Sequence, residues 1–130
     1  MEKFKVQFLE EAAEFLDNLS EKPRDKIIYN IHKARVVSDN ELFKKLTGEI
    51  WEFRTLFNKT YYRLFAFWDK TEIVVISTHG IIKKTDKTPQ ADLDKAERLR
   101  KHYFEQKIKK NEKGKFKNLQ FRRNYRQTYW

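Results

Sequence analysis

Three aromatic and β-branched runs, Ile50 to Phe57, Tyr61 to Trp68 and Glu72 to Thr78, follow one another with only short polar links at Asn58-Lys59-Thr60 and Asp69-Lys70. Parallel neighbours need a crossover of about a dozen residues or more, so runs this closely spaced pair as an antiparallel meander. Whatever else the chain does, it must cover the faces of that sheet.

The flanking segments supply the cover. Phe4, Val6 and Phe8 alternate with Lys5 and Gln7, the period-two signature of a first strand. From about Glu10 the spacing turns helical, with Ala12, Phe15, Leu16 and Leu19 on one stripe. Ser20 and Pro23 then open a second helix carrying Ile27, Ile28, Ile31 and Ala34, so a helical hairpin is expected. Thr47-Gly48 marks a turn before the meander. Thr88-Pro89 marks a helix start, with Asp92 and Asp94 complementing the dipole of its first turn and Ala96, Leu99 and Tyr103 forming its buried stripe. The expected architecture is α+β: N-terminal strand, helical hairpin, three-stranded antiparallel meander completing a twisted sheet, and C-terminal helix.

At 130 residues the chain is long enough for one modest core. It has no cysteine, which excludes a disulfide framework, a Cys-based zinc site and a thiol nucleophile, and fits a reducing, cytoplasmic setting. No run approaches the roughly 20 apolar residues of a membrane span, and no signal-type apolar segment follows Met1, so no membrane partner is expected. His32, His79 and His102 are far apart, with no second histidine three or four positions on, so no metal motif is present and no cofactor is expected.

The net charge of +10 points to a polyanionic partner. Residues 107 to 130 hold nine Lys/Arg against Glu112 alone, whereas residues 1 to 106 hold 20 against 18. The composition break near Lys107 divides a domain over 1–106 from a basic, aromatic-containing extension over 107–130. In that extension Arg122 and Arg123 are candidate RNA contacts, and Phe116, Phe121, Tyr125, Tyr129 and Trp130 could stack on bases; a charged solvated arm is the plainer reading.

Within the domain, chemistry must come from local placement. Glu52, Arg54 and Leu56 share one strand face, and Arg63 shares one with Tyr61, Phe65 and Phe67; only the pairing register decides whether the two arginines meet. His79-Gly80-Ile81-Ile82-Lys83-Lys84-Thr85-Asp86-Lys87-Thr88-Pro89 reads as a cationic loop before the last helix and suggests a phosphate site. Each candidate has a plain structural alternative. Arg54 and Arg63 could make sheet ion pairs, with Glu52 as one partner for Arg54. His79 could hydrogen-bond backbone at a strand end, and most of the strand aromatics belong to the core.

Several matches occur in a fixed order: Lys44-Lys45-Leu46-Thr47-Gly48, Trp51-Glu52-Phe53-Arg54, Tyr62-Arg63, His79-Gly80, Lys83-Lys84-Thr85, Lys87-Thr88-Pro89, and Ala96 with Arg98. In this order and spacing, residues 3 to 106 resemble the HigB-like, phage-derived type of toxin in the RelE/ParE superfamily. The resemblance implies a type II toxin: a metal-independent mRNA endoribonuclease that acts on the ribosome, inhibits translation and is neutralised by a HigA-like helix-turn-helix antitoxin. It implies oligomers only through the antitoxin complex. The chemistry is attack of a ribose 2′-hydroxyl on the adjacent phosphate. By the same resemblance, Arg63 and Arg54 bind the scissile or a flanking phosphate, Arg63 being the stronger candidate because the superfamily keeps an arginine at this strand position, with Lys84, Lys83 and His79 as further catalytic candidates and Lys87, Lys44 and Lys45 as RNA contacts. Glu52 stands where RelE has a strand lysine, and no tyrosine lies near the start of the final helix, which leaves the acid and base open. The alternative is a noncatalytic module that binds RNA, the ribosome or DNA.

Overall fold

The computed structural model describes residues 3–85 and 87–113. Arg122, Arg123 and the rest of the extension from 114 onward lie outside the described residues. Within them the order is β1 (Lys5–Phe8), α1 (Glu10–Asp17), α2 (Glu21–Val36), β2 (Phe43–Thr47), β3 (Ile50–Phe57), β4 (Thr60–Asp69), β5 (Val74–Lys83) and α3 (Gln90–Lys113). The five strands form one sheet in the order β1-β5-β4-β3-β2, and the fold is α+β as expected.

The meander has four strands, because β2 pairs antiparallel with β3. Phe43 to Thr47 carries two exposed lysines and forms the sheet edge, where charge discourages pairing with other chains. Strand β1 closes the other edge, parallel to β5. The expected cationic loop over His79–Pro89 is shorter than anticipated, since β5 runs on through Lys83. Gly80 reads as a strand breaker but has a packing role: a Cβ there would lie 2.4 Å from the Phe15 ring of α1.

Turn chemistry sets the register. Asn58 and Lys59 have φ of 49° and 62°, the two positive values a type I′ hairpin requires, and Phe57 pairs with Thr60 across them. A two-residue turn closed there places Thr55 opposite Tyr62 and Arg54 opposite Arg63.

Both faces of the sheet are covered. On one, the α1–α2 hairpin packs Ala12, Leu16, Ile27 and Ile31 against Phe8, Phe53, Leu64, Ala66 and Val75. The Asn30 side-chain amide donates to Thr55 Oγ1 at 3.0 Å and ties α2 to β3. On the other, α3 packs Ala96 and Tyr103 over Ile50, Phe65, Phe67 and Ile76, so the expected stripe of α3 does face the sheet. Further along α3, the Tyr103 hydroxyl donates to Asp69 Oδ2 at 2.7 Å and Lys107 Nζ reaches the same oxygen at 2.5 Å. Asp69 is buried, and these two donors anchor the helix to the end of β4.

Candidate functional site

Beneath α3 the apolar cluster ends at Phe65 and Ile81. The next positions on that face are Arg54 and Leu56 of β3, Tyr61 and Arg63 of β4, and Lys83 of β5, because side chains two apart on a strand, and register partners across strands, share a face. Arg63 faces Arg54 on one side and Ile81 on the other, and Tyr61 faces Lys83.

Two guanidinium groups on opposed strand positions repel, and Glu52 relieves the repulsion. Its Oε1 accepts from Arg63 Nη1 at 2.7 Å and lies 3.4 Å from Arg54 Nε. The carboxylate is 1% exposed, the Arg63 side chain 2% and the Arg54 side chain 19%. Arg54 is therefore the arginine that solvent reaches, while Arg63 is held inside with the Tyr61 ring 5.3 Å from its guanidinium carbon. A buried pair of this kind holds its groups in one geometry, whatever its net contribution to stability. Both ion pairs considered from the sequence are present, joined at one carboxylate.

The other candidates divide by face and position. Lys44 is the register partner of Glu52, so the β2 edge adds a cation to the arginine side. Lys45 pairs with Trp51 and points to the opposite face. Lys84 Nζ donates to Thr60 Oγ1 at 3.0 Å, fastening the end of β5 to the start of β4. Lys87 is exposed in the link before α3.

His79 is not at this surface. It is 3% exposed, lies in β5 and stacks on Phe65 with ring centroids 4.9 Å apart. Its Nε2 is 3.1 Å from Asp92 Oδ1 and its Nδ1 3.0 Å from Thr78 Oγ1. A carboxylate cannot donate, so Nε2 carries the proton and Nδ1 accepts from the Thr78 hydroxyl, while the Ser77 hydroxyl serves the Phe65 carbonyl at 3.1 Å. Burial pushes the imidazole below its usual pKa, more than the hydrogen bond to Asp92 raises it, and Lys95 lowers it further. A neutral histidine here locks the first turn of α3 onto β5.

The sequence put Tyr61 on the face of Arg63 but gave it no role, and it gave Glu52 only Arg54 as a named partner. For Glu52 and Arg63 the signal was the hairpin turn, since the register it sets decides which residues of β3 and β4 share a face. Among the described residues no group of three or more His, Asp or Glu could hold a metal ion, and no helix is long and apolar enough to cross a membrane.

Residues 14–101 match the family described as phage derived protein Gp49-like (DUF891). The match spans more than half of the chain. The chain belongs to the Gp49-like family. This is a toxin family of the RelE/HigB type, which makes a toxin paired with an antitoxin the coarse assignment. The Gp49-like match takes in Glu52, Arg54, Arg63, His79 and the lysines of the β5 end, and ends before the basic extension. No protein of curated function matches the chain.

Proposed function

We propose that this Gp49-like protein is the toxin of a type II toxin–antitoxin system and an endoribonuclease that cuts messenger RNA on the ribosome, with the Arg54–Glu52–Arg63 face as its phosphate platform. The observation that carries the reading is the register pairing of two arginines around one carboxylate, on the part of the sheet that the apolar cluster under α3 leaves off. Arg54, Arg63, Lys83 and Lys44 stand on that face against Glu52, so the surface is cationic and suits an RNA backbone.

The roles follow from exposure. Arg54 contacts the scissile phosphate and stabilises charge on its non-bridging oxygens as the 2′-oxygen attacks phosphorus. Arg63 acts from inside: it fixes Glu52, and Glu52 orients Arg54. The P–O5′ bond breaks, leaving a 2′,3′-cyclic phosphate on one fragment and a 5′-hydroxyl on the other. The 2′-hydroxyl loses a proton and the leaving 5′-oxygen gains one. Tyr61 and Lys83, register partners at the outer end of the face, are the candidates for handling these protons in this reading. His79 is a structural residue in this scheme. A HigA-like antitoxin silences the toxin by covering the face or by blocking its approach to the ribosome.

A noncatalytic RNA-binding role is favoured by one observation, that the best acid–base residue by type, His79, is engaged at both nitrogens and buried. The readings separate when messenger RNA integrity and growth are followed on expressing the wild type, Arg54→Ala and Lys83→Ala. A wild type that arrests growth and leaves RNA uncut, with or without ribosomes, overturns the enzyme.

A further inference from the structure

On the opposite face from the arginines, at the turn end of β2 and β3, a cavity of about 330 Å³ is lined by Lys45, Glu49, Trp51, Trp68 and Lys70. It has no part in the chemistry described above. Its floor is two indoles 6.2 Å apart and inclined at 72°, an L-shaped corner. The corner is built into the fold: Trp51 stacks on Phe43 at 4.7 Å, and Trp68 meets the edge of Phe4 at 5.0 Å. Strand tryptophans normally finish inside a core, yet these two are half-buried with a cavity against them.

We infer that this corner receives a single unstacked base of an RNA strand, with Lys45 and Lys70 on the flanking phosphates. The inference rests on RNA being the ligand of the opposite face. Three observations select this occupant. The volume is near the lower end of the roughly 300–1,000 Å³ range of small-ligand sites, right for one planar group. The exposed Lys45 and Lys70 at the rim outnumber Glu49. An anionic occupant is favoured, and the basic residues 107–130, or a second copy of this +10 chain, are disfavoured. Finally, Lys44 and Lys45 are consecutive on the edge strand and point to opposite faces, toward Glu52 and Trp51 respectively. They form a cationic rail around the sheet edge along which one RNA backbone can pass from the arginine platform to the tryptophan corner. Base–aromatic stacking of this kind tolerates any base, so the corner holds the strand in register without reading its sequence.

The test uses the full chain and an uncleavable 2′-O-methyl RNA octamer with a photoactivatable thiouracil placed at each position in turn. Crosslinks mapped by mass spectrometry are expected on Trp51 or Trp68 for one position. The double variant Lys45→Glu/Lys70→Glu changes only exposed side chains, and should lose those crosslinks and bind the octamer about ten-fold more weakly at moderate salt. Trp68→Leu should weaken binding by a similar factor, about ten-fold for one lost stack. Crosslinks confined to the Arg54 face, or unchanged affinity in the double variant, overturn the inference, as does an effect of these substitutions on antitoxin binding alone, which would assign the corner to a protein side chain. Cleavage of messenger RNA by the wild type is scored separately. Cleavage without crosslinks at the corner removes only this inference; crosslinks without cleavage remove the enzyme reading and leave the corner standing.

Discussion

Arg54 and Arg63 face each other directly across β3 and β4, and the same carboxylate oxygen of Glu52 lies 3.4 Å from one and 2.7 Å from the other. Two like charges at opposed sheet positions destabilise the sheet unless a counter-charge sits between them. Glu52 is therefore a structural requirement for a functional surface.

Glu52→Gln should cost about 3 kcal/mol or more of unfolding free energy, because it leaves the buried Arg63 facing a neutral amide. Arg54→Ala, at a partly exposed position, should cost about 1 kcal/mol or less. Urea denaturation of the two variants measures both. Equal losses would contradict the dependence of the buried Arg63 charge on Glu52.

Lys59 has φ of 62° in a turn where glycine is the preferred residue. Lys59→Gly should raise stability by about 0.5–1 kcal/mol, since relief of the left-handed strain exceeds the added unfolded-state entropy. A lower melting temperature for this variant would contradict the turn assignment.

Gly80→Ala should destabilise by about 1–3 kcal/mol, because the new methyl group meets the Phe15 ring near its root and the ring must leave its place against β5. Thermal melts of Gly80→Ala against Gly80→Ala/Phe15→Leu test this, with partial recovery expected in the double variant.

The pH dependence has two windows. His79 is held below its usual 6.5 by burial, so its neutral form is preferred in the folded protein. Stability is full above 6.5 and declines as pH falls below it, because the unfolded chain takes up a proton that the folded chain resists. Asp69 behaves differently: burial raises its carboxyl, but hydrogen bonds from Lys107 and Tyr103 more than offset this and hold it below 3.8. Its contribution is present above 3.8 and is lost as pH falls through the lower folded value. Denaturation midpoints should drop between pH 7 and 5, and His79→Gln should flatten that drop while leaving the acid limb below pH 4. A wild type insensitive between pH 7 and 5 would contradict the neutral, buried imidazole.

Much of this fold was legible because its signals are local: alternation for β1, helical spacing for α1 and α2, and short links for the meander. The site was less so. Reading the hairpin link as Asn58-Lys59-Thr60 pairs Phe57 with Tyr61 and sets Arg54 opposite Leu64, on a different face from Arg63. The actual two-residue turn was hidden because lysine occupies the place where glycine would announce it. Strand β2 escaped notice because an edge strand with Lys44 and Lys45 exposed has little alternation to detect. The end of β5 read as loop because Gly80 serves packing against Phe15 in place of a turn. The burial of His79 depends on Asp92 and Phe65, contacts made only when α3 docks.

The most direct test is the rate of messenger RNA cleavage on purified translating ribosomes by the wild type and by Arg54→Ala at matched folded concentration. The wild type should cleave, with products ending in 2′,3′-cyclic phosphate, and Arg54→Ala should lose about 100-fold or more in rate with its melting temperature nearly unchanged. Cleavage by Arg54→Ala at the wild-type rate would contradict the placement of the reaction on this face.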